Sequence, residues 1–241
     1  MLIVGKRNGS ISKTYSSSLT SMTKGYPTHT VIGGEFAISQ DPQIALKTLL
    51  GSCVAIMFYD RIKKIHAMNH FLLPSTSSKS NDMKYGLYSV ESMLNEMYKL
   101  GCTKQSMIAK ISGGANILSS VTSSNIGQRN VEFAKDFCRT EGFRIVSEHS
   151  RGEHSRVILL VEEFETFIKT SSKDDSLVSR SESSLQREVS RAPETTSFEI
   201  QDDFIDFSSS RKTTSSYSVE DDFIDFNNSS SSSSSGELEL F

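Results

Sequence analysis

The stretch TLLGSCVAI (residues 48–56) combines a glycine-containing turn, a cysteine and the start of an apolar run. Gly51 and Ser52 predict a tight turn, and the apolar run over 54–59 predicts a strand that is covered on both faces. Cys53 stands between them, at the head of the strand. A turn can expose such a side chain and can direct backbone N–H groups towards a developing negative charge.

A second segment, AMNHFLLP (residues 67–74), follows after the polar connection DRIKK (residues 60–64). It predicts the neighbouring strand, which carries His70 and ends at Pro74. Two strands joined in this way would bring Cys53 and His70 close together. An imidazole can then take the thiol proton, and the thiolate can act as a nucleophile in acyl transfer.

Five collinear motifs resemble the CheD family of chemoreceptor glutamine deamidases. They are GSCV at 51–54, HFLLP at 70–74, KYG at 84–86, AKISGGAN at 109–116 and NIGQRNV at 125–131. The resemblance spans about residues 31–165. It implies a protein-glutamine glutaminase that converts receptor glutamines to glutamates in chemotaxis, with hydrolysis of glutamate methyl esters as a related activity. It implies no metal and no organic cofactor.

The resemblance also implies the catalytic set: Cys53 as nucleophile, His70 as general base and Thr48 as the residue that orients the imidazole. From the residues alone, Ser52 and Asn69 are alternatives for the third position. We expect Asn69 to point to the opposite face of its strand from His70, because successive side chains alternate. Backbone N–H groups near Ser52 and Cys53 are the expected oxyanion donors.

We expect an α+β fold, a single-domain layered α/β/β sandwich of the CheD type over residues 31–168. The resemblance implies an architecture similar to the catalytic domain of cytotoxic necrotizing factor. Periodic apolar residues predict helices over 85–100 and 126–139. The Gly113-Gly114 pair predicts a loop that passes close to the catalytic turn.

The composition excludes several classes of protein. A formal net charge of −3 indicates no nucleic-acid binding through a basic face. The absence of an 18-residue apolar run predicts no membrane insertion, and the N-terminus lacks a signal-peptide pattern. Three cysteines at unrelated spacings predict neither a disulfide framework nor a zinc site. We therefore expect a cytoplasmic protein.

Both ends of the chain differ in composition from the central domain. Residues 1–30 predict a flexible N-terminal extension, with at most one loosely attached strand at residues 1–4, and residues 169–241 predict a disordered Ser-rich acidic tail. The tail repeats DDFIDF at 202–207 and 221–226. The repeats are either docking motifs for an unknown partner or a low-complexity duplication. The polar segment 75–83 is either an active-site flap or a surface insertion.

Two other functions are compatible with these residues. The chain could be a binding regulator of a CheC-type phosphatase, with or without catalysis. It could also be a cysteine-dependent hydrolase that acts on a different acyl substrate.

Overall fold

The computed structural model describes residues 1–6, 8–73, 79–117 and 126–171, together with 184, 187 and 238–240. These residues form two β-sheets and two long helices. The helices are α1 (Lys79–Lys99) and α2 (Ile126–Thr140). The strands are β1 (Leu2–Lys6), β2 (Ile11–Thr14), β3 (Met22–Thr23), β4 (Tyr26–Thr30), β5 (Glu35–Ser39), β6 (Ala45–Leu50), β7 (Val54–Asp60), β8 (Ile65–Asn69), β9 (Met107–Gly113), β10 (Arg144–Ser150), β11 (Arg156–Leu160), β12 (Thr166–Thr170) and β13 (Leu238–Leu240).

Within the described residues, the first sheet has the order β10-β9-β7-β8-β5-β1-β2 and the second has the order β13-β12-β11-β6-β4-β3. Most neighbouring strands are antiparallel. The parallel pairs are β9 with β10 and β4 with β6. The chain passes from the second sheet to the first between β6 and β7, which is where the GSC turn lies.

The first sheet is the middle layer of a helix/sheet/sheet sandwich. One apolar cluster joins its Ile56 and Phe58 to Met93 of α1 and Ala134 of α2. Another cluster joins its other face to the second sheet, with side chains that include Met57. Burial on both faces explains why β7 is apolar without alternation. The predicted α+β class and α/β/β layering are confirmed.

The two predicted helices are present, with shifted ends. α1 begins at Lys79, six residues before the predicted start, and α2 ends at Thr140. The apolar stripe of α1 packs into the core, where Val90 and Met97 are fully buried. Gly101 follows α1 with a φ of 81°, the left-handed conformation expected of a glycine that ends a helix.

The prediction that residues 1–30 form a flexible extension is corrected by the structure. β1 lies inside the first sheet, between β5 and β2, and Leu2 and Ile3 are buried. The apolar run of β1 is short, but it pairs along its whole length with β5, far from it in the chain. β4 likewise pairs with β6 and belongs to the second sheet.

The tail is described only in part. Its last strand, β13, pairs antiparallel with β12, so that Leu240 is opposite Phe167 and Leu238 is opposite Lys169. The two DDFIDF repeats and residues 75–78 of the predicted flap lie outside the described residues, whereas residues 79–83 of that segment form the start of α1.

Candidate active site

The Cys53 turn and the His70 segment are joined by a short antiparallel bridge. The Val54 N–H donates to Phe71 O (3.0 Å), and the Phe71 N–H donates to Val54 O (2.9 Å). The residues that precede this bonded pair, Cys53 and His70, are diagonal neighbours on one face of the sheet. Such neighbours have Cβ atoms about 7 Å apart, within reach of a histidine ring. The predicted proximity of thiol and imidazole therefore follows from the strand register.

The Thr48 hydroxyl determines which nitrogen of the neutral His70 ring carries the proton. Thr48 Oγ1 donates to Val31 O (2.8 Å) and lies 2.9 Å from His70 Nδ1. Val31 O can only accept, so the hydroxyl proton of Thr48 is used in that bond. Oγ1 therefore accepts a hydrogen bond from His70 Nδ1–H. The neutral ring then carries its lone pair on Nε2, a buried atom. This tautomer is the one that a general base acting through Nε2 requires.

The two alternatives for the third position lie elsewhere. Asn69 points to the helix side of the sheet, where its Oδ1 accepts from the Ile56 N–H (2.8 Å) and its Nδ2 donates to Ser89 Oγ (3.2 Å). It therefore faces away from His70, as the alternation of a strand requires. Ser52 is buried in the turn, and its carbonyl is held by α2. Thr48 is the predicted candidate that the structure places against the imidazole.

The loop at the end of β9 (residues 113–115, the glycine loop) forms hydrogen bonds with the Cys53 turn. The Gly114 N–H donates to Cys53 O (2.7 Å), and the Ala115 N–H donates to Gly51 O (2.7 Å). Gly113 has a φ of 115°, and a Cβ built on it would lie 2.2 Å from Cys53 O. Only glycine therefore fits this position. The predicted close passage of the Gly-Gly loop is present.

Cys53 differs from the other two cysteines in its surroundings and not in its burial. All three cysteines are described, all are buried, and none forms a disulfide. Burial raises the pKa of the Cys102 thiol to about 12, with further contributions from nearby Asp60, and burial raises the pKa of the Cys138 thiol to about 12. Both thiols therefore stay protonated at neutral pH and are poor nucleophiles. Cys53 is the cysteine that has a histidine, His70, as its diagonal neighbour.

Sequence reasoning missed two buried polar side chains beside the site. Arg156 donates from Nη1 to His149 O (2.8 Å) and from Nη2 to Arg151 O, and so holds the turn after β10. That turn contacts the glycine loop, since the Arg151 N–H donates to Gly113 O (2.8 Å). Asn130 of α2 is the other missed residue. The signal for it was a polar residue within the apolar stripe of a helix.

Neither a metal site nor a membrane span is evident in the part of the chain that the structure describes. No group of three or more His, Cys, Asp or Glu side chains there could hold a metal ion. Neither described helix combines the length and the apolarity needed to cross a bilayer.

Comparison with known proteins finds sequence relatives. A family model described as CheD chemotactic sensory transduction matches residues 72–170, a range that begins after His70. The chain is 37% identical over 133 residues to a probable chemoreceptor glutamine deamidase CheD of Thiobacillus denitrificans, with 53% of this chain and 65% of that protein covered. It is 42% identical over 130 residues to a protein of the same name from Sinorhizobium medicae, with 52% of this chain and 70% of that protein covered.

Two solved structures align with part of the fold. The C-terminal domain of CNFy from Yersinia pseudotuberculosis aligns with a TM-score of 0.32 and 11% identity, covering 62% of this chain and 58% of that one. Protein NMB0706 of Neisseria meningitidis aligns with a TM-score of 0.33 and 11% identity, covering 53% of this chain and 63% of that one.

Proposed function

The chain belongs to the CheD family, and from that premise we propose that it hydrolyses glutamine side chains of chemoreceptors to glutamate. The observation that carries this proposal is the contact between Thr48 and His70, on the face of the sheet that Cys53 shares. It equips a cysteine with a base of defined tautomer. The same chemistry would cleave a glutamate methyl ester, because that group has the same acyl carbon and a different leaving group.

In the first half of the reaction, His70 Nε2 takes the proton of Cys53, and Sγ attacks the carboxamide carbon. The tetrahedral intermediate bears its negative charge on the former carbonyl oxygen, where backbone N–H groups of the turn stabilise it. As the C–N bond breaks, the imidazolium gives its proton to the nitrogen, and ammonia leaves. The product of this half-reaction is a glutamyl thioester on Cys53.

In the second half, water attacks the thioester and His70 takes the proton of the water. The C–S bond breaks, and the proton returns to Sγ. The sum is glutamine plus water to glutamate plus ammonia, with the enzyme unchanged. The Nδ1–H bond to Thr48 favours the imidazolium formed in both halves, because a charged donor makes a stronger hydrogen bond than a neutral one.

We propose a cytoplasmic location, since the cysteines stand as thiols and the receptor segments concerned are expected to face the cytoplasm. The substrate is then the cytoplasmic helical region of a methyl-accepting chemoreceptor. Binding of a CheC-type phosphatase and docking through the tail repeats remain predictions from the sequence.

The test is mass spectrometry of peptides from a receptor cytoplasmic region incubated with the full chain. Wild type should raise the mass of selected peptides by about 1 Da per glutamine converted, and Cys53→Ala should abolish the change. Cys138→Ala is the matched control, because it removes a buried thiol that is not part of the site and should leave conversion intact. An unchanged receptor with wild type, together with tight binding of a CheC-type phosphatase, would favour the regulator instead.

A further inference from the structure

The carbonyl groups of Gly51, Ser52 and Cys53, the three residues of the Cys53 turn, all accept hydrogen bonds. The Gly51 and Cys53 carbonyls accept from the backbone of the glycine loop. The Ser52 carbonyl accepts from a side chain, Asn130 Nδ2, at 2.7 Å. Backbone donors survive most substitutions. The restraint on Ser52 O therefore depends on the identity of one residue in α2.

The same carboxamide also holds the segment that follows the catalytic histidine. Asn130 Oδ1 accepts from the Leu73 N–H at 2.9 Å, and Asn130 is fully buried. One planar group thus links the Cys53 turn to the chain three residues after His70. Both of its ends are used, so an apolar residue would break both links. Aspartate could keep the link to Leu73, but it would set a carboxylate oxygen against Ser52 O.

The peptide unit held by Asn130 is the one that joins Ser52 to Cys53. In a trans peptide the C=O and the following N–H point in opposite directions, so fixing Ser52 O towards α2 turns the Cys53 N–H away from α2. The Cys53 side chain packs in the cluster between the two sheets, on the face that His70 shares. An N–H on the nucleophile residue is well placed to donate to the oxyanion that forms there.

We propose that Asn130 is a positioning residue for acyl transfer, which orients the Cys53 amide towards the oxyanion by holding the Ser52 carbonyl. It acts through the backbone and touches no substrate atom. The inference rests on the proposed function for its natural substrate, but it applies to any acyl group that Cys53 attacks.

The experiment compares Asn130→Ala and Asn130→Asp with wild type in the full chain. Two acyl donors are used: the receptor cytoplasmic region and p-nitrophenyl acetate, an activated ester that needs no receptor recognition. We expect kcat to fall about 10- to 100-fold with both donors, with little change in KM, because orientation of an oxyanion donor acts in the transition state. The pH dependence of Cys53 alkylation by iodoacetamide should stay unchanged, since the thiol, His70 and Thr48 are intact.

Ala134→Gly is the matched control for a purely structural effect. Ala134 is fully buried one turn further along α2, and glycine weakens the helix without touching the carboxamide. This variant should lose stability and keep kcat. The proposal is overturned if the folded Asn130 variants keep kcat within about threefold of wild type, or if they lose no more than Ala134→Gly. It is also overturned if they shift the alkylation profile.

The two donors separate this inference from the proposed function. If wild type leaves the receptor unchanged while the ester acylates Cys53 and the Asn130 variants are slow, the receptor assignment fails and the role of Asn130 stands. If wild-type Cys53 is acylated by neither donor, both fail.

Discussion

Replacing Thr48 with valine tests whether a neutral hydroxyl orients the catalytic base. Valine keeps the shape of the side chain and removes Oγ1, which joins Val31 O to His70 Nδ1 at 2.8 and 2.9 Å. Thr48 is almost fully buried, so water does not replace the lost bonds. A buried group left without a partner costs about 1–3 kcal/mol, and two groups lose one here.

A second hydrogen-bond acceptor near His70 limits the loss of stability in Thr48→Val. Val31 O lies 3.4 Å from His70 Nδ1, so a small movement would let the ring donate directly to this carbonyl. That bond would satisfy both groups in part and would keep the proton on Nδ1. We therefore expect the free energy of unfolding to fall by about 2 kcal/mol, at the low end of the range for two groups. The preferred tautomer should survive in most molecules.

The expected loss of kcat follows from the same geometry. Without the hydroxyl, the imidazolium keeps only its longer hydrogen bond, the one to Val31 O. We expect this loss to raise the activation free energy by about 1.4–2.7 kcal/mol, which lowers kcat about 10- to 100-fold. Ammonia release gives kcat and KM, and urea unfolding gives stability. Thr48→Ser keeps the hydroxyl and should stay within about threefold of wild type. A folded Thr48→Val protein with wild-type kcat, or a Thr48→Ser protein as slow as Thr48→Val, would refute the role of the hydroxyl.

Two further predictions concern stability. Burial lowers the pKa of His66 to about 4, while its Nε2–H donates to Ile44 O at 2.9 Å. The unfolded chain binds this proton near pH 6.5 and the folded chain does not, so stability should fall by up to about 3 kcal/mol between pH 6.5 and 4. Urea unfolding checks this, and His66→Asn should lose that part of the slope. Gly113→Ala should cost at least about 3 kcal/mol, because its Cβ would meet Cys53 O, whereas Gly142→Ala, with φ 74° and open space around it, should cost about 1–2 kcal/mol in thermal unfolding. Equal losses would contradict the clash.

Local patterns predicted the parts of the site that depend on neighbours in the chain. The Gly51-Ser52 turn, the apolar run of β7 and the strand that carries His70 are each encoded within a few residues. The diagonal placement of Cys53 and His70 then follows from a single antiparallel pairing. The opposite orientation of Asn69 follows from strand alternation alone.

Long-range partners could not be predicted in the same way. β1 is only five residues long, and its burial depends on pairing with β5, from Leu2 opposite Ser39 to Lys6 opposite Glu35. Asn130 and Arg156 bind backbone carbonyls, and a carbonyl carries no sequence signal because every residue has one. Their polar character within buried elements was visible, but the identity of the groups they bind depends on the tertiary fold.

The candidate site draws its side chains from both sheets, and this couples the proposed catalysis to packing. Thr48 lies on β6 of the second sheet, whereas Cys53 and His70 lie at the ends of β7 and β8 in the first. Packed sheets are about 10 Å apart, so the 2.9 Å bond between Thr48 and His70 forms only when the two layers meet at their native spacing. The turn that carries Cys53 is also the crossover between the layers. A change that loosens the contact between the sheets should therefore reduce the orientation of the base before it unfolds the chain.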